Sequence, residues 1–205
     1  MMRPDIFTAV AGLSVPARAR GAQAPMDTLW QLEYQDFYWF YFQQPGVAEG
    51  EFERDPAETM HLLMASGGRK GGLMVPAGTG FLDGFEAAQT LPAWLARADM
   101  DALVSVYRRT GFRGGLNWYR NLDRNWELTA LFAGATIRQP ALFIAGTLDG
   151  VICDPLGQAA LEAMPDVAPG LQRQVLIEGA GHWINEQCPD DVNSELIRLC
   201  NEWAG

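Results

Sequence analysis

Histidine occurs only twice in these 205 residues, at His61 and His182, and cysteine three times, at Cys153, Cys188 and Cys200. Two histidines far apart in the chain, neither at ligand spacing, give a metal cluster little to be built from, so no metal is expected. An odd number of cysteines without a C-x-x-C pair suggests neither a disulfide framework nor a zinc site, and fits a reducing, cytoplasmic setting. Basic residues number 15 against 25 acidic ones, a formal charge of −10, and they are scattered along the chain. Phosphate neutralisation needs clustered cations, so nucleic acid is not an expected partner. No apolar run approaches the roughly 20 residues of a membrane span, so no membrane is expected either. Repeats and low-complexity tracts are also lacking.

What is present is the material of a core. A composition of 48% hydrophobic and 20% charged residues reads as soluble and globular, and the length suits a domain with a substantial interior. The N-terminal stretch MMRPDIFTAVAGLSVPARARGAQAP imitates a secretory signal, with an arginine, an apolar segment and small-residue sites. Asp5 in the would-be basic region and arginines hard against the apolar segment argue instead for a buried strand.

Three short apolar runs carry the strand pattern. AVAGLSV (9–15), closed by Pro16, has the character of a strand buried on both faces, and so does ALFIAG (141–146) after Pro140. RQVLIEG (173–179) is the third. Between the second and third lies DPLGQAALEAMPDVAPG, helical at its centre, so these strands are expected to be parallel neighbours. Val192, Leu196, Leu199 and Trp203 then recur at helical spacing, a last helix packing back on the sheet.

Residues 26–136 differ in kind, with aromatic-rich helical segments broken by the glycine-laden loop SGGRKGGLMVPAGTG. ADMDALVSVYRRTG reads as the clearest helix, with Met100, Leu103, Val104 and Tyr107 on one stripe, Asp99 as N-cap and Gly111 as stop. A helical insertion between two parallel strands reads as a lid over their carboxyl ends, where open α/β folds bind ligands. The expected division is therefore a core of residues 1–25 and 137–205 and a helical lid of residues 26–136.

Asp149 directly follows the strand ALFIAG in GTLDG, and His182 directly follows the strand QVLIEG in GAGHW. Taken singly, His182 could be a surface-loop histidine and Asp149 a turn former, because D-G is a common turn dipeptide. Two parallel strands that deliver a carboxylate and an imidazole to the same sheet edge have the geometry of a general base and its orienter.

Together with ALFIAGTLD and GAGHW, the segments TGFRGGLNWYRNLDRNWEL, FYWFYFQQPGVAEGEFERD and RPDIFTAVAGLSVP resemble soluble epoxide hydrolases of the α/β-hydrolase fold over nearly the whole chain. The resemblance implies a partial α/β-hydrolase fold, with three parallel strands, flanking helices and a helical lid inserted between the first two strands. It implies that an aspartate opens the epoxide as nucleophile, that two lid tyrosines, Tyr38 and Tyr119, donate hydrogen bonds to the epoxide oxygen, and that Asp149 and His182 activate water on the resulting ester. A phenol of pKa near 10 stays protonated at neutral pH and can help to expel an alkoxide. Trp39, Leu122 and Trp183 are the residues implied to line the substrate slot, the substrate being a small apolar epoxide and no cofactor being needed.

Position alone does not choose Tyr38 over Tyr41 within the run Phe37–Phe42, where aromatic packing is the ordinary role. The family usually has a phenylalanine two places before the tyrosine and a polar residue after it, where this chain has Asp36 and Trp39. His61 matches no catalytic motif and is expected on a lid helix.

The family's nucleophile stands on a strand-to-helix elbow with glycines around an aspartate, a relative of G-x-S-x-G, and no such elbow occurs in these residues. RPDIFTAVAGLSVP resembles the stretch after the elbow's helix, which implies that the family's first five strands lie outside this sequence. Two expectations follow for the chain as it stands: inactivity on epoxides, and self-association through an exposed sheet edge at 9–15. The rival readings are a dehalogenase of the same fold, which also works through an aspartyl ester, and a non-catalytic remnant or binding module.

Overall fold

The computed structural model describes residue 3 and residues 5–203. The chain enters through strand β1 (Val10–Leu13) and continues through helices α1 (Pro25–Gln31), α2 (Tyr38–Gln43), α3 (Val47–Phe52), α4 (Pro56–Ala65), α5 (Arg97–Thr110), α6 (Arg113–Arg120) and α7 (Leu122–Leu128). It then forms β2 (Ala141–Gly146), α8 (Gly150–Cys153), α9 (Pro155–Val167), β3 (Leu171–Ile177), α10 (Ile184–Gln187) and α11 (Pro189–Trp203). Two compact units result, one of residues 1–20 and 131–205 and one of residues 21–130, with boundaries slightly N-terminal to those the composition suggests.

The first unit is an α/β core around a three-stranded parallel sheet in the order β1-β2-β3. All six residues of β2 are buried. The pleat sends them alternately to the two faces: Leu142 and Ile144 join Ala180, Ile184, Val192 and Leu199, while Phe143 and Ala145 join Ile152 and Met164. Burial on both faces, expected from sequence for the run at 9–15 as well, holds only for the central strand. β1 is half-buried throughout, and β3 alternates between half-buried and exposed residues, because each pairs on one side only. β3 also lies two residues earlier than the apolar run suggests, since Gly179 at φ 75° already belongs to the following turn.

The crossover from β2 to β3 shows how the chain manages its own breakers. Asp154 caps α9 by accepting from the Leu156 N–H at 2.9 Å, and Pro155 occupies the first helical position, where no N–H is needed. Pro165 interrupts the last turn and leaves the Leu161 carbonyl without its helical donor. Gln174 Nε2 on β3 supplies that donor at 3.2 Å. In α11, Val192 and Leu199 are buried and Leu196 packs beside them, whereas Trp203, the expected last member of the stripe, remains 41% exposed beyond the end of the apolar cluster.

The second unit is helical. In α5, Met100 and Val104 are buried and Gly111, at φ 65°, ends the helix as expected. The N-cap, however, is Ala96, and Asp99 sits within the first turn, where its charge still favours the positive end of the helix. The glycine-rich loop is organised by two side chains. Arg69 donates to the carbonyls of Phe81 (3.0 Å), Gly72 (3.2 Å) and Met74. Glu51 accepts from the N–H groups of Phe81 (3.1 Å) and Leu82 (2.8 Å) and from the Tyr41 hydroxyl (2.7 Å). Among the described residues no helix is long and apolar enough to cross a membrane, and the three cysteines are unpaired thiols.

Candidate active site

Asp149 is the N-cap of α8, immediately after β2, and its Oδ1 accepts from the Val151 N–H at 2.9 Å. His182 stands in the turn after β3, with Nδ1 3.0 Å from each Asp149 carboxylate oxygen. An ionised carboxylate can only accept, so the imidazole proton resides on Nδ1 and Nε2 is left as the basic nitrogen. The Asp149 side chain is wholly buried while that of His182 is 40% exposed. A buried carboxylate fixes the tautomer, and the accessible ring is free to take a proton from a reactant.

This meeting of two loops depends on close main-chain approach. The Thr147 N–H donates to the Ile177 carbonyl (3.0 Å), the Leu148 N–H to the Ala180 carbonyl (2.8 Å), and the Gly179 N–H to the Thr147 hydroxyl (2.9 Å). A Cβ on Gly146 would lie 2.1 Å from the Ala180 carbonyl oxygen, inside any tolerable contact, so only glycine lets β2 end against the histidine turn. On its other side the His182 carbonyl accepts from the Ser14 hydroxyl at 2.7 Å, at the carboxyl end of β1. Neither Gly146 nor Ser14 is singled out by sequence reasoning. A glycine inside a strand pattern was the available signal for the first.

In the helical unit, Tyr38 opens α2 and Tyr119 stands near the end of α6, with ring centroids 5.5 Å apart, edge to face. Burial pushes the Tyr119 phenol above its ordinary range, and a hydrogen bond with the Tyr38 side chain partly offsets the effect. Phe42 and Phe81 pack against Tyr38 at 5.3 and 5.9 Å, and buried Phe37 lies 4.8 Å from it. Tyr41 has a different engagement. Its hydroxyl is bound to Glu51, and burial together with that carboxylate pushes its pKa up.

A charged clamp holds the two tyrosine-bearing helices together. Arg120, next to Tyr119, makes a two-point contact with Glu49 of α3, Nη1 to Oε1 at 2.6 Å and Nη2 to Oε2 at 2.8 Å. Its Nε donates to the Phe42 carbonyl (2.9 Å) and its Nη2 to that of Gln44 (3.2 Å), while Gln43 Nε2 donates to the Tyr119 carbonyl (3.1 Å). The hydrogen bonds from Arg120 hold the Glu49 carboxyl down at about 2, from an ordinary 4.5. A depressed folded-state pKa contributes stability that is complete above the unfolded value and is lost as the pH falls through the folded one. Thermal melts between pH 5 and pH 2 are therefore expected to show stability falling on acidification, and Glu49→Gln to lose about 1–3 kcal/mol at neutral pH and to flatten that decline. An unchanged acid limb in the variant would remove the pair from this role.

Of the remaining sequence-derived candidates, Trp39 follows Tyr38 on α2, half-buried, with its indole N–H buried and without a hydrogen-bond partner. Leu122 is the first residue of α7, and Trp183 lies against the His182 ring at 5.1 Å. His61 sits on α4 and binds the Ala88 carbonyl through Nε2 at 2.8 Å. Among the described residues no group of three or more His, Cys, Asp or Glu side chains is placed to hold a metal ion.

A parallel sheet whose successive strands deliver an aspartate and then a histidine, interrupted in sequence by a helical unit, is the pattern of an α/β-hydrolase. No family model matches the chain. It is 43% identical over 208 residues to epoxide hydrolase A of Mycobacterium tuberculosis, covering 97% of this chain and 63% of that protein. It is 37% identical to epoxide hydrolase 1 of Siraitia grosvenorii, over 99% of this chain and 65% of the relative. The crystal structure of epoxide hydrolase A from Mycobacterium thermoresistibile matches with a TM-score of 0.90 at 42% identity, over 98% of this chain and 64% of the other. The chain is homologous to epoxide hydrolases of the α/β-hydrolase fold over nearly its whole length, and it spans somewhat under two thirds of theirs.

Proposed function

We propose that this chain carries the acid and water-activating parts of an epoxide hydrolase, a reaction that adds water to an epoxide to give a vicinal diol through an aspartyl ester. The observation that carries the reading is the pairing of Tyr38 with Tyr119, because two neighbouring phenols answer the needs of an epoxide oxygen. In this reading a carboxylate attacks one ring carbon, the C–O bond breaks, and the oxygen takes its proton from the tyrosine pair of the helical lid. His182 Nε2 then removes a proton from water as it adds to the ester carbonyl, Asp149 stabilises the imidazolium, and the ester C–O bond breaks to release the diol and restore the carboxylate, the imidazolium proton returning through solvent to the tyrosinate. Trp39 and Leu122 of the helical unit, and Trp183 beside His182, are the residues proposed to contact a small apolar epoxide.

The attacking carboxylate has to be supplied from the part of the relatives that this chain does not span. Asp149 cannot serve, since both its oxygens face the His182 imidazole. The test is a chimera in which the uncovered part of the tuberculosis relative is joined to these 205 residues. Diol release is expected from the chimera and not from the 205-residue polypeptide alone. A folded chimera without activity would sink the reading, as would halide release from a haloalkane with no diol from any epoxide, which favours the dehalogenase. Turnover by the polypeptide alone, abolished by His182→Ala, would show that another carboxylate acts as nucleophile.

A further inference from the structure

Ser14 is one of two described residues other than glycine that hold a positive φ, here 60°, a conformation few side chains adopt without an external reason. It is 6% exposed. Its N–H donates to the Ile144 carbonyl at 2.9 Å, which ties it to β2, and its hydroxyl donates to the His182 carbonyl at 2.7 Å. The chain before His182 contains Gly179, at φ 75°, and Gly181, so this turn has little stiffness of its own. The Leu148 N–H holds the Ala180 carbonyl, and Gln187 accepts from the Gly181 N–H at 2.5 Å, so the approach to His182 is anchored from one side. Ser14 anchors the histidine's own carbonyl, from a strand 168 residues away in sequence.

We propose that Ser14 is a positioning residue for His182, its hydroxyl fixing the histidine main chain so that Nδ1 meets both oxygens of Asp149. The proposal rests on the reading of these two residues as base and orienter, and deepens it. Loss of the hydroxyl leaves the His182 carbonyl to rotate at the end of a turn that contains Gly179 and Gly181, and the imidazole moves with it. Placing Nδ1 3.0 Å from each carboxylate oxygen tolerates little such motion.

The 205-residue protein can be tested directly, because only two histidines contribute imidazole signals. Nitrogen-15 spectra of histidine-labelled protein report the tautomer of each ring and the exchange of its N–H with water. His61, bound to the Ala88 carbonyl, is the internal control. In Ser14→Ala and Ser14→Gly the His182 Nδ1–H is expected to exchange about five- to tenfold faster, the loss of roughly one hydrogen bond, with His61 unchanged. The glycine variant separates a clamp from a mere turn former. Glycine adopts φ 60° without strain, so a residue needed only for the turn would give Ser14→Gly an equal or higher melting temperature and an unmoved His182 ring. That result overturns the proposal. Asp149→Asn is the companion variant. If it shifts the His182 signals while Ser14→Gly does not, the Ser14 proposal fails alone. If Asp149→Asn changes nothing, the base-orienter reading fails and the proposal with it.

Discussion

In the chimera, His182→Gln is expected to leave ring opening intact and to slow hydrolysis of the ester about a thousandfold, so that a covalent adduct accumulates. In the proposed mechanism ring opening consumes the carboxylate and a tyrosine proton and makes no demand on the imidazole, whereas the second step needs a base for water. Asp149→Asn should produce the same trapped state by another route. An amide at this position can donate to Nδ1, which moves the imidazole proton to Nε2 and removes the basic nitrogen. Mass spectrometry after addition of an epoxide would show an adduct of substrate mass in both variants. If the adduct clears as fast as in the parent, His182 has no part in the second step.

The second large effect is expected from the tyrosines. Tyr38→Phe and Tyr119→Phe should each slow adduct formation about 10²-fold, the usual scale for losing one donor to a developing oxyanion, and the double variant considerably more. Single-turnover adduct formation is the measurement, since steady-state turnover mixes both chemical steps. Tyr41→Phe is the control. Its hydroxyl is held by Glu51 with the N–H groups of Phe81 and Leu82, so its loss should loosen the turn near residue 81 and leave the chemistry within a few-fold of the parent. Parent rates in the double tyrosine variant would remove both residues from the ring-opening step.

The choice between Tyr38 and Tyr41 illustrates what the residues alone leave open. Both lie in one aromatic run, and a helix presents them on adjoining positions of its surface. They differ in neighbours: Glu51 reaches Tyr41 from ten residues away, and Tyr119 meets Tyr38 from another helix. Asp149 and His182 are a contrasting case. Each follows an apolar run that reads as a strand, and the helical segment between the two runs makes them parallel neighbours, so chain order places both residues at the same end of one sheet before any coordinate is known.

Local pattern also marked β2, whose five apolar residues sit between Pro140 and Gly146. The shared apolar character of the runs at 9–15 and 141–146 did not distinguish an edge strand from the central one, because that depends on which strand pairs on both sides. The supports of the candidate site were still less legible. Ser14 acts on His182 across 168 residues and Arg120 on Glu49 across 71. A serine or an arginine in sequence carries no mark of its partner. Gly146 must be glycine because the Ala180 carbonyl comes within 2.1 Å of where a Cβ would stand, a contact created only when β2 and β3 lie side by side. Periodicity and chain order are properties of neighbouring residues, and they place the strands and the groups that follow them. The clamps and close approaches that hold those groups at 3.0 Å belong to pairs that folding alone brings together.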